Sequence, residues 1–217
     1  MKLFKDFIPT IQQKYISVFA SGNSINFMTK EDLDFIKQKS FMITMNYAPV
    51  KLNGAMNVHS DKNVTDFLIP HFKINPKTMQ LVSREAAFNN NIREHVDFKN
   101  YIDYWFDKNS DVLGGNYTVV WILILLTEHL PRDKTILLFG LDMKLDEKDI
   151  KEKMLKWYDK ETKWDISRRG SYPAMEKLRE SADQLTQLIK NKDMIINCNL
   201  DSGYDGFKKD NWKNYLS

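Results

Sequence analysis

Several apolar runs of the chain end in short loops of small and polar residues, which are residue types that bind phosphates and sugars. The first loop is Ser21-Gly22-Asn23-Ser24, whose backbone N–H groups and hydroxyls could contact a phosphate or a ribose. It holds one glycine and no Gly-Lys-Ser/Thr, so it matches neither the dinucleotide fingerprint nor the P-loop. We therefore expect a phosphate or ribose contact without a nicotinamide cofactor, and an ordinary tight turn is the equal alternative.

Two further features could approach or neutralise a phosphate. Gly114 and Gly115 stand before the apolar run Val119 to Leu126, so a ligand could come close to the positive end of a buried helix. Arg168 and Arg169 could hold a diphosphate leaving group. A flexible turn explains the glycines about as well, and a solvated surface explains the arginines equally well.

Hydrogen-bonding and titratable side chains also follow the apolar runs. Asn46 carries an amide that can donate and accept, and Asp142 lies just beyond the run Thr135 to Phe139, where a carboxylate suits a ribose hydroxyl. His59 and Asp61 offer a base and an acceptor for proton transfer. A structural histidine, an N-cap aspartate and a turn aspartate are the competing interpretations.

Metal and nucleophile chemistry have little support in the sequence. The four histidines form no His-Glu-x-x-His motif and no His/Cys cluster, and no Gly-x-Ser-x-Gly elbow is present. The single cysteine, Cys198, cannot form an intrachain disulfide, which indicates a reducing compartment. We therefore expect no metal and no cofactor.

The elements that position these residues follow from the hydrophobic pattern. Short apolar runs alternate with helical patterns, which predicts an α/β fold with a mostly parallel sheet and helices on both faces. Helices are predicted at Lys30 to Gln38 behind Thr29 as N-cap, at Val119 to Leu126, and at Tyr172 to Lys190. The six predicted strands are Tyr15 to Ala20, Phe41 to Met45, Ala55 to Val58, Met79 to Val82, Thr135 to Phe139 and Met194 to Asn197. Ligands bind beyond the carboxyl ends of such strands, so the loops would share one crevice.

Length and composition fit one folded domain. Of the 217 residues, 42% are hydrophobic, which is enough to form a sizeable core and argues against global disorder. We predict a single domain over residues 1–217, with an insertion around 85–110 where the pattern has no clean period. The most apolar run is too short to span a membrane and the N-terminus lacks a secretion signal, so we expect a cytoplasmic protein without a membrane partner.

The series of strand-end motifs, taken in order, has a counterpart in a known family. The motifs are Val18-Phe19-Ala20-Ser21-Gly22-Asn23-Ser24-Ile25, Ile43-Thr44-Met45-Asn46, Leu113-Gly114-Gly115-Asn116-Tyr117, Leu138-Phe139-Gly140-Leu141-Asp142-Met143 and Ile196-Asn197-Cys198-Asn199-Leu200-Asp201-Ser202. The series resembles the bacterial sialyltransferases of glycosyltransferase family 42 and related uncharacterised phage and bacterial chains. The resemblance implies a Rossmann-like, glycosyltransferase A-like domain. Its donor site for a nucleotide sugar would be lined by Ser21, Gly22, Ser24, Asn46, Gly114, Gly115 and Asp142.

The chain departs from that family in two places. The first motif of the family usually reads Gly-x-Gly-Pro-Ser, where this chain has Ala20-Ser21-Gly22-Asn23-Ser24. The catalytic histidine of the family precedes the last long helix, and Ile166 to Pro173 contains no histidine. Tyr172 and the two neighbouring arginines occupy that position and could serve the leaving phosphate. The acceptor proton would then go to His59 or Asp61.

These observations predict a glycosyltransferase that moves a sugar from a CMP- or UDP-sugar to an acceptor hydroxyl without a metal. The acceptor would be a hydroxymethylated base in phage DNA or, alternatively, a surface glycan. The net charge of +3 only permits an anionic partner, and DNA is favoured by the pI of about 8.7 together with a tail that could follow phosphates, with Lys208, Lys209, Trp212, Lys213 and Tyr215. A docked terminal helix is the equal alternative interpretation of the tail. A non-catalytic binding or assembly protein that keeps the fold is the alternative from another class.

Overall fold

A computed structural model describes residues 2–60, 64, 68, 77–84, 102–106, 118–144, 180, 182–184 and 186–217. Within them, nine strands form one sheet. Their bounds are β1 Lys2–Leu3, β2 Tyr15–Phe19, β3 Phe41–Met45, β4 Met56–His59, β5 Met79–Ser83, β6 Tyr104–Phe106, β7 Thr135–Phe139, β8 Ile195–Asn197 and β9 Lys208–Lys209. The order across the sheet is β1-β6-β5-β4-β3-β2-β7-β8-β9, and every pairing is parallel. The predicted Rossmann-like α/β fold is confirmed, with an open sheet that is entirely parallel.

All six predicted strands are present, with small shifts at their ends. β4 extends to His59 because this residue pairs with Val82 of β5, so His59 ends the strand instead of following it. Met194 belongs to a 3-10 turn, and β8 begins at Ile195. The sequence patterns missed β1, β6 and β9, which are two or three residues long. Strands this short carry no measurable period.

Three α-helices are described over their full bounds: α1 Phe4–Phe7, α2 Lys30–Lys39 and α3 Thr118–His129. The predicted cap of α2 is confirmed, since Thr29 Oγ1 accepts from the backbone N–H of Asp32 at 3.1 Å and the Asp32 carboxylate accepts from the Thr29 N–H at 3.2 Å. α3 is apolar on nearly every side, as expected of a helix inside the core. The predicted start of the helix at Tyr172 lies outside the described residues, and residues 180, 182–184 and 186 are helical.

The two faces of the sheet pack separate hydrophobic cores. Side chains alternate along β2, so Ile16 and Val18 join the core cluster that contains α3, whereas Phe19 joins the cluster that contains Ile36 of α2. The predicted placement of helices on both faces is therefore confirmed. Shorter 3-10 helices complete the described elements, at Ile8–Thr10, Asn23–Phe27, Ala48–Val50, Lys192–Met194 and Trp212–Asn214.

The strand order reverses direction next to β2. From β2 the chain builds outward through β3, β4, β5 and β6, and then returns across the sheet to place β7 on the opposite side of β2. The carboxyl ends of β2 and β7 are therefore the topological switch point, where open α/β sheets leave a crevice for ligands. The loops after these strands contain the first motif and Asp142.

Candidate functional site at the switch point

The loop after β2 continues along β7 beyond the end of the strand. The backbone N–H of Ala20 donates to Phe139 O, and that of Gly22 donates to Gly140 O, both at 2.8 Å. A Cβ on Gly22 would lie 2.4 Å from Asp142 Cγ and 2.5 Å from Gly140 O. Glycine is therefore required here because a neighbouring backbone and a carboxylate occupy the space of any side chain.

Asp142 connects the loops that follow three neighbouring strands. Its Oδ2 accepts from the backbone N–H of Ser24 at 2.9 Å. Its Oδ1 accepts from the Ser24 hydroxyl at 2.5 Å and from Asn199 Nδ2 at 2.8 Å. A carboxylate offers about four acceptor positions, so three hydrogen bonds use most of its capacity. We call Gly22, Ser24, Asp142 and Asn199 the switch-point cluster.

Asn199 was not among the predicted site residues, although its motif belongs to the series quoted above. Its backbone N–H donates to Asn197 Oδ1 at 3.2 Å, and its own Oδ1 accepts from the Asp201 N–H at 3.1 Å. Its carbonyl accepts from the Ser202 N–H at 3.2 Å. These turns hold the amide toward Asp142. An asparagine just beyond β8, the strand next to β7, was the sequence signal that could have identified it.

Further hydrogen bonds attach the loop after β8 to the end of β7. Ser202 Oγ donates to Leu141 O at 2.5 Å, and the Gly203 N–H donates to Asp142 O at 2.6 Å. Lys209 Nζ holds the same loop from outside, at 2.7 Å from Ser202 O. The described loops at the switch point are thus tied to one another by both side chains and backbone.

Asn46 lies at the end of β3, which is the neighbour of β2 on the other side. Its backbone is in the left-handed region, at φ 52°, and its N–H donates to Val58 O at 2.8 Å. Its side-chain oxygen is buried and has no hydrogen-bond partner among the described residues. A buried carbonyl oxygen without a donor is costly in free energy.

Asn23 is tied within its own loop. Its Oδ1 accepts from Asn26 Nδ2, which lies on the same 3-10 helix. Ser21 and Asn23 are half-buried in the same loop. The structure therefore brings Ser21, Gly22, Asn23, Ser24 and Asp142 together, with Asn46 one strand away.

A second polar cluster lies at the carboxyl ends of β4 and β5. Ser60 Oγ and Thr118 Oγ1 are hydrogen-bonded at 2.7 Å, and Ser83 Oγ donates to Ser60 O at 3.3 Å. His59 is completely buried beside them in sequence, and desolvation lowers its pKa to about 3. We call His59, Ser60, Ser83 and Thr118 the hydroxyl cluster. The imidazole of His59 is therefore neutral at physiological pH and is a weak proton acceptor.

Several predicted site residues lie outside the described residues. They are Asp61, Gly114, Gly115, Arg168, Arg169 and Tyr172. The predicted insertion around 85–110 is described only at 102–106, where β6 is located. The roles predicted for these residues, and the predicted insertion, are not tested by the described part of the chain.

The C-terminal tail packs against α2. Trp212 lies 6.2 Å from Phe35 between ring centroids, and Lys213 Nζ is 3.7 Å from the Asp32 carboxylate. Leu216 is buried in the core cluster of α2. Lys208 and Lys209 form β9 and also pair with carboxylates, those of Asp210 at 3.6 Å and Asp205 at 2.6 Å. The tail is therefore docked, but as the strand β9 and the three-residue 3-10 helix Trp212–Asn214, and not as the terminal α-helix that was the alternative prediction.

Within the part of the chain that the structure describes, no group of three or more His, Cys, Asp and Glu side chains is placed to hold a metal ion. The sequence Asp32-Leu33-Asp34 has Asp-x-Asp spacing, but Asp32 caps α2 and Asp34 pairs with Lys30 at 3.5 Å. Burial raises the pKa of the Cys198 thiol, which keeps it protonated. No described helix is long and apolar enough to cross a bilayer.

Comparison with known proteins found no match: neither a family model, nor a curated protein, nor a solved structure. The resemblance to glycosyltransferase family 42 therefore rests on the motif series alone.

Proposed function

We propose that the chain is a glycosyltransferase that moves a sugar from a nucleotide-sugar donor to an acceptor hydroxyl. The observation that carries the proposal is the meeting of the loops after β2 and β7 at the switch point, where Gly22 lies against Gly140 and Asp142. Nucleotides bind at this place in doubly wound sheets. The order of the motifs adds support, because the same loops correspond to the donor site of the family that the sequence resembles.

The donor would lie along the small residues of the first loop and be oriented by polar side chains. Ser21 and Asn23 are half-buried in the loop after β2, and the Asn46 amide, at the end of the neighbouring strand, is proposed to contact the base or the sugar. Gly114, Gly115, Arg168 and Arg169 are proposed to contact the phosphates, from the sequence alone. The cations would offset the charge of the departing nucleotide, so the transfer needs no metal in this proposal.

In the transfer, the acceptor oxygen forms a bond to the anomeric carbon while the bond from that carbon to the nucleotide phosphate breaks. The hydroxyl proton goes to a base. His59 is a poor candidate because desolvation lowers its pKa to about 3. Asp61 and Tyr172 remain the proposed groups for proton transfer and for contact with the leaving phosphate.

The charge arrangement of the tail favours a glycan over DNA as the acceptor. Lys208, Lys209 and Lys213 all have carboxylate partners. A cation that is already paired contributes less to counterion release from DNA than a free one. The hydroxymethylated base in phage DNA is therefore the second choice within this proposal.

The test is a thermal-shift comparison of CMP and UDP, followed by donor hydrolysis without acceptor. A ligand that binds the native state raises the melting temperature by mass action, about 2.7 kcal/mol of stabilisation at 100 times its Kd. We expect Asp142→Asn to abolish most of the nucleotide-induced shift, because an amide in that position turns a donor toward the Ser24 N–H or Asn199 Nδ2. Asp133→Asn, at an exposed turn, is the matched control and should keep the shift.

Absence of any shift with both nucleotides, or equal shifts in the two variants, would contradict the donor site. Nucleotide-sugar binding without turnover would instead support the non-catalytic binding protein. The low pKa of His59 and the absence of a histidine from Ile166 to Pro173 are the observations in favour of that second candidate.

A further inference from the structure

Three residues of the described chain have a backbone in the left-handed region, and all three follow the strands on either side of β2. Asn46 comes directly after β3, at φ 52°, and Gly140 comes directly after β7, at φ 69°. Met143, three residues beyond Gly140, has φ 50°. Glycine adopts this conformation freely and asparagine tolerates it, whereas a bulky residue in it is an outlier. Backbone strain is therefore located at Met143, next to Asp142.

The loop after β8 holds the peptide group between Asp142 and Met143. The carbonyl oxygen of Asp142 accepts from the Gly203 N–H at 2.6 Å and from Ser202 Oγ at 3.3 Å. Since the φ angle of Met143 sets the orientation of this peptide group, a return to negative φ would turn the carbonyl away from both donors. The two hydrogen bonds therefore favour the left-handed backbone.

Packing fixes Met143 as well. Its side chain is 4% exposed and belongs to the hydrophobic core cluster that contains α3. Ser202 Oγ also donates to the carbonyl of Leu141 at 2.5 Å, one residue before Asp142. A strained backbone persists only where its surroundings over-determine it, and such residues cluster at functional sites. Met143 meets this condition because its side chain and the carbonyls before it are all held.

The position of the Asp142 carboxylate depends on this backbone. An aspartate side chain has only two torsions, so a rotation of its backbone carries the carboxylate with it. The carboxylate accepts from the Ser24 N–H at 2.9 Å and from the Ser24 hydroxyl at 2.5 Å, and these bonds hold the first loop. A flip of the backbone at Met143 would therefore release Ser24 and the loop after β2.

We propose that Met143 is a positioning residue for the nucleotide site. Its left-handed backbone, held by the loop after β8, directs the Asp142 carboxylate at Ser24 and keeps the first loop in the shape that binds the donor. Met143 acts through Asp142 and contacts no ligand. The inference rests on the proposed function and adds to it the residue that fixes the shape of the donor loop.

The test compares substitutions that keep an apolar side chain but differ in the cost of left-handed backbone. Isoleucine is β-branched and is excluded from this region more strongly than leucine. We expect Met143→Ile to accelerate hydrogen exchange of the Ser24 N–H roughly tenfold in the nucleotide-free chain, measured by NMR, and Met143→Leu to leave it unchanged. The Asn46 N–H, bonded to Val58 O at 2.8 Å, reports general loss of stability and should change less than about twofold.

Met56→Ile is the matched control. Met56 is fully buried in the same core cluster but lies in β4, where the extended backbone suits isoleucine. This variant should keep the wild-type exchange of Ser24. Calorimetry with CMP and with UDP, at a temperature where every variant is folded, then gives the affinities. Met143→Ile should bind the nucleotide roughly tenfold more weakly than the wild type, and Met143→Leu and Met56→Ile should stay within about twofold of it.

Three results would overturn the positioning role. They are unchanged Ser24 exchange in Met143→Ile, equal acceleration of the Ser24 and Asn46 amides, and equal acceleration of Ser24 in Met56→Ile. The second and third would mean that the substitution acts on stability alone. Faster Ser24 exchange with unchanged nucleotide affinity would also overturn the inference, because the shape of the first loop would then not matter for binding.

A second variant decides the question if Met143→Ile does not fold. Ser202→Ala removes the hydroxyl that bonds the carbonyls of Leu141 and Asp142, and it must then accelerate Ser24 exchange selectively. Absence of nucleotide binding by the wild-type chain would remove the donor site and with it the proposed function. The exchange rates, measured without nucleotide, would still decide whether Met143 positions Asp142.

Discussion

The two polar clusters at the carboxyl edge of the sheet differ in exposure and in charge. The switch-point cluster surrounds a half-buried carboxylate, whereas the hydroxyl cluster is sealed and uncharged, with the pKa of His59 lowered to about 3. Both lie at the carboxyl ends of parallel strands, so position in the sheet favours them equally. Position at a strand end therefore makes a residue a candidate for ligand binding. The burial of that residue then determines whether it can contact a ligand or accept a proton.

The hydroxyl cluster is closed by the start of α3. Thr118, the first residue of α3, bonds to Ser60, and apolar residues fill the rest of the helix. At the switch point, in contrast, the covering element is a 3-10 helix with an exposed end. A sealed polar cluster contributes to stability, and a partly open one is available for binding.

The largest effect that would distinguish the two clusters is the response of stability to acid. His59 in the unfolded chain binds a proton as the pH falls through about 6.5, but the folded chain binds it only near pH 3. Between these values the unfolded state binds more protons, so the free energy of unfolding decreases as the pH falls. We expect a loss of about 4 to 5 kcal/mol from this residue across the window, at about 1.4 kcal/mol per pKa unit.

Urea unfolding of the wild-type chain and of His59→Gln across that window measures this loss. The variant should show a shallower decline because glutamine does not titrate. Parallel declines would mean that His59 is protonated in the folded chain and would break the contrast between the clusters.

The next effect concerns the space at Gly22. In Gly22→Ala the new methyl group meets the Asp142 carboxylate and Gly140 O, so the loops must separate. We expect the free energy of unfolding to fall by about 2 to 3 kcal/mol, as for an overpacked core. Ser21→Ala, at the neighbouring position, should change it by less than about 0.5 kcal/mol. Near-identical stability of the two variants in urea would show that the first loop is not confined by Asp142.

The smallest effect comes from the hydroxyl cluster. Thr118→Val leaves the buried Ser60 hydroxyl without its partner and should cost about 1 kcal/mol. Adding Ser60→Ala should recover part of that cost, because both polar groups are then gone. Thermal unfolding with and without CMP should show equal nucleotide shifts in these variants. If CMP no longer raised the melting temperature of these variants, the hydroxyl cluster would belong to the nucleotide site and would not differ in role from the switch-point cluster.

The sequence predicted the interior of the sheet well and its edges poorly. Strands buried on both faces are largely apolar runs, which is why six of the seven inner strands were recognised, whereas the inner strand β6 was missed because it is only three residues long. Lys208 and Lys209 belong to a polar tail by composition, and only their pairing with β8 identifies them as a strand. Strand order depends on long-range packing, so the adjacency of β2 and β7 could not be read from local patterns.

The candidate site was predicted in part for the same reason. Ser24 and Asp142 were each selected from a strand-end position, but their hydrogen bonds join residues 118 positions apart. Asn199 was missed because its partner Asp142 lies 57 positions away. His59 was selected by residue type, and only the packing around it reveals its low pKa.

The outermost strands of the described sheet have a consequence for the behaviour of the protein at high concentration. β1 and β9 are two residues long, and three of their four residues are lysines: Lys2, Lys208 and Lys209. Short borders give an incoming chain few backbone groups to pair with. The described part of the sheet therefore offers little edge for growth into fibrils.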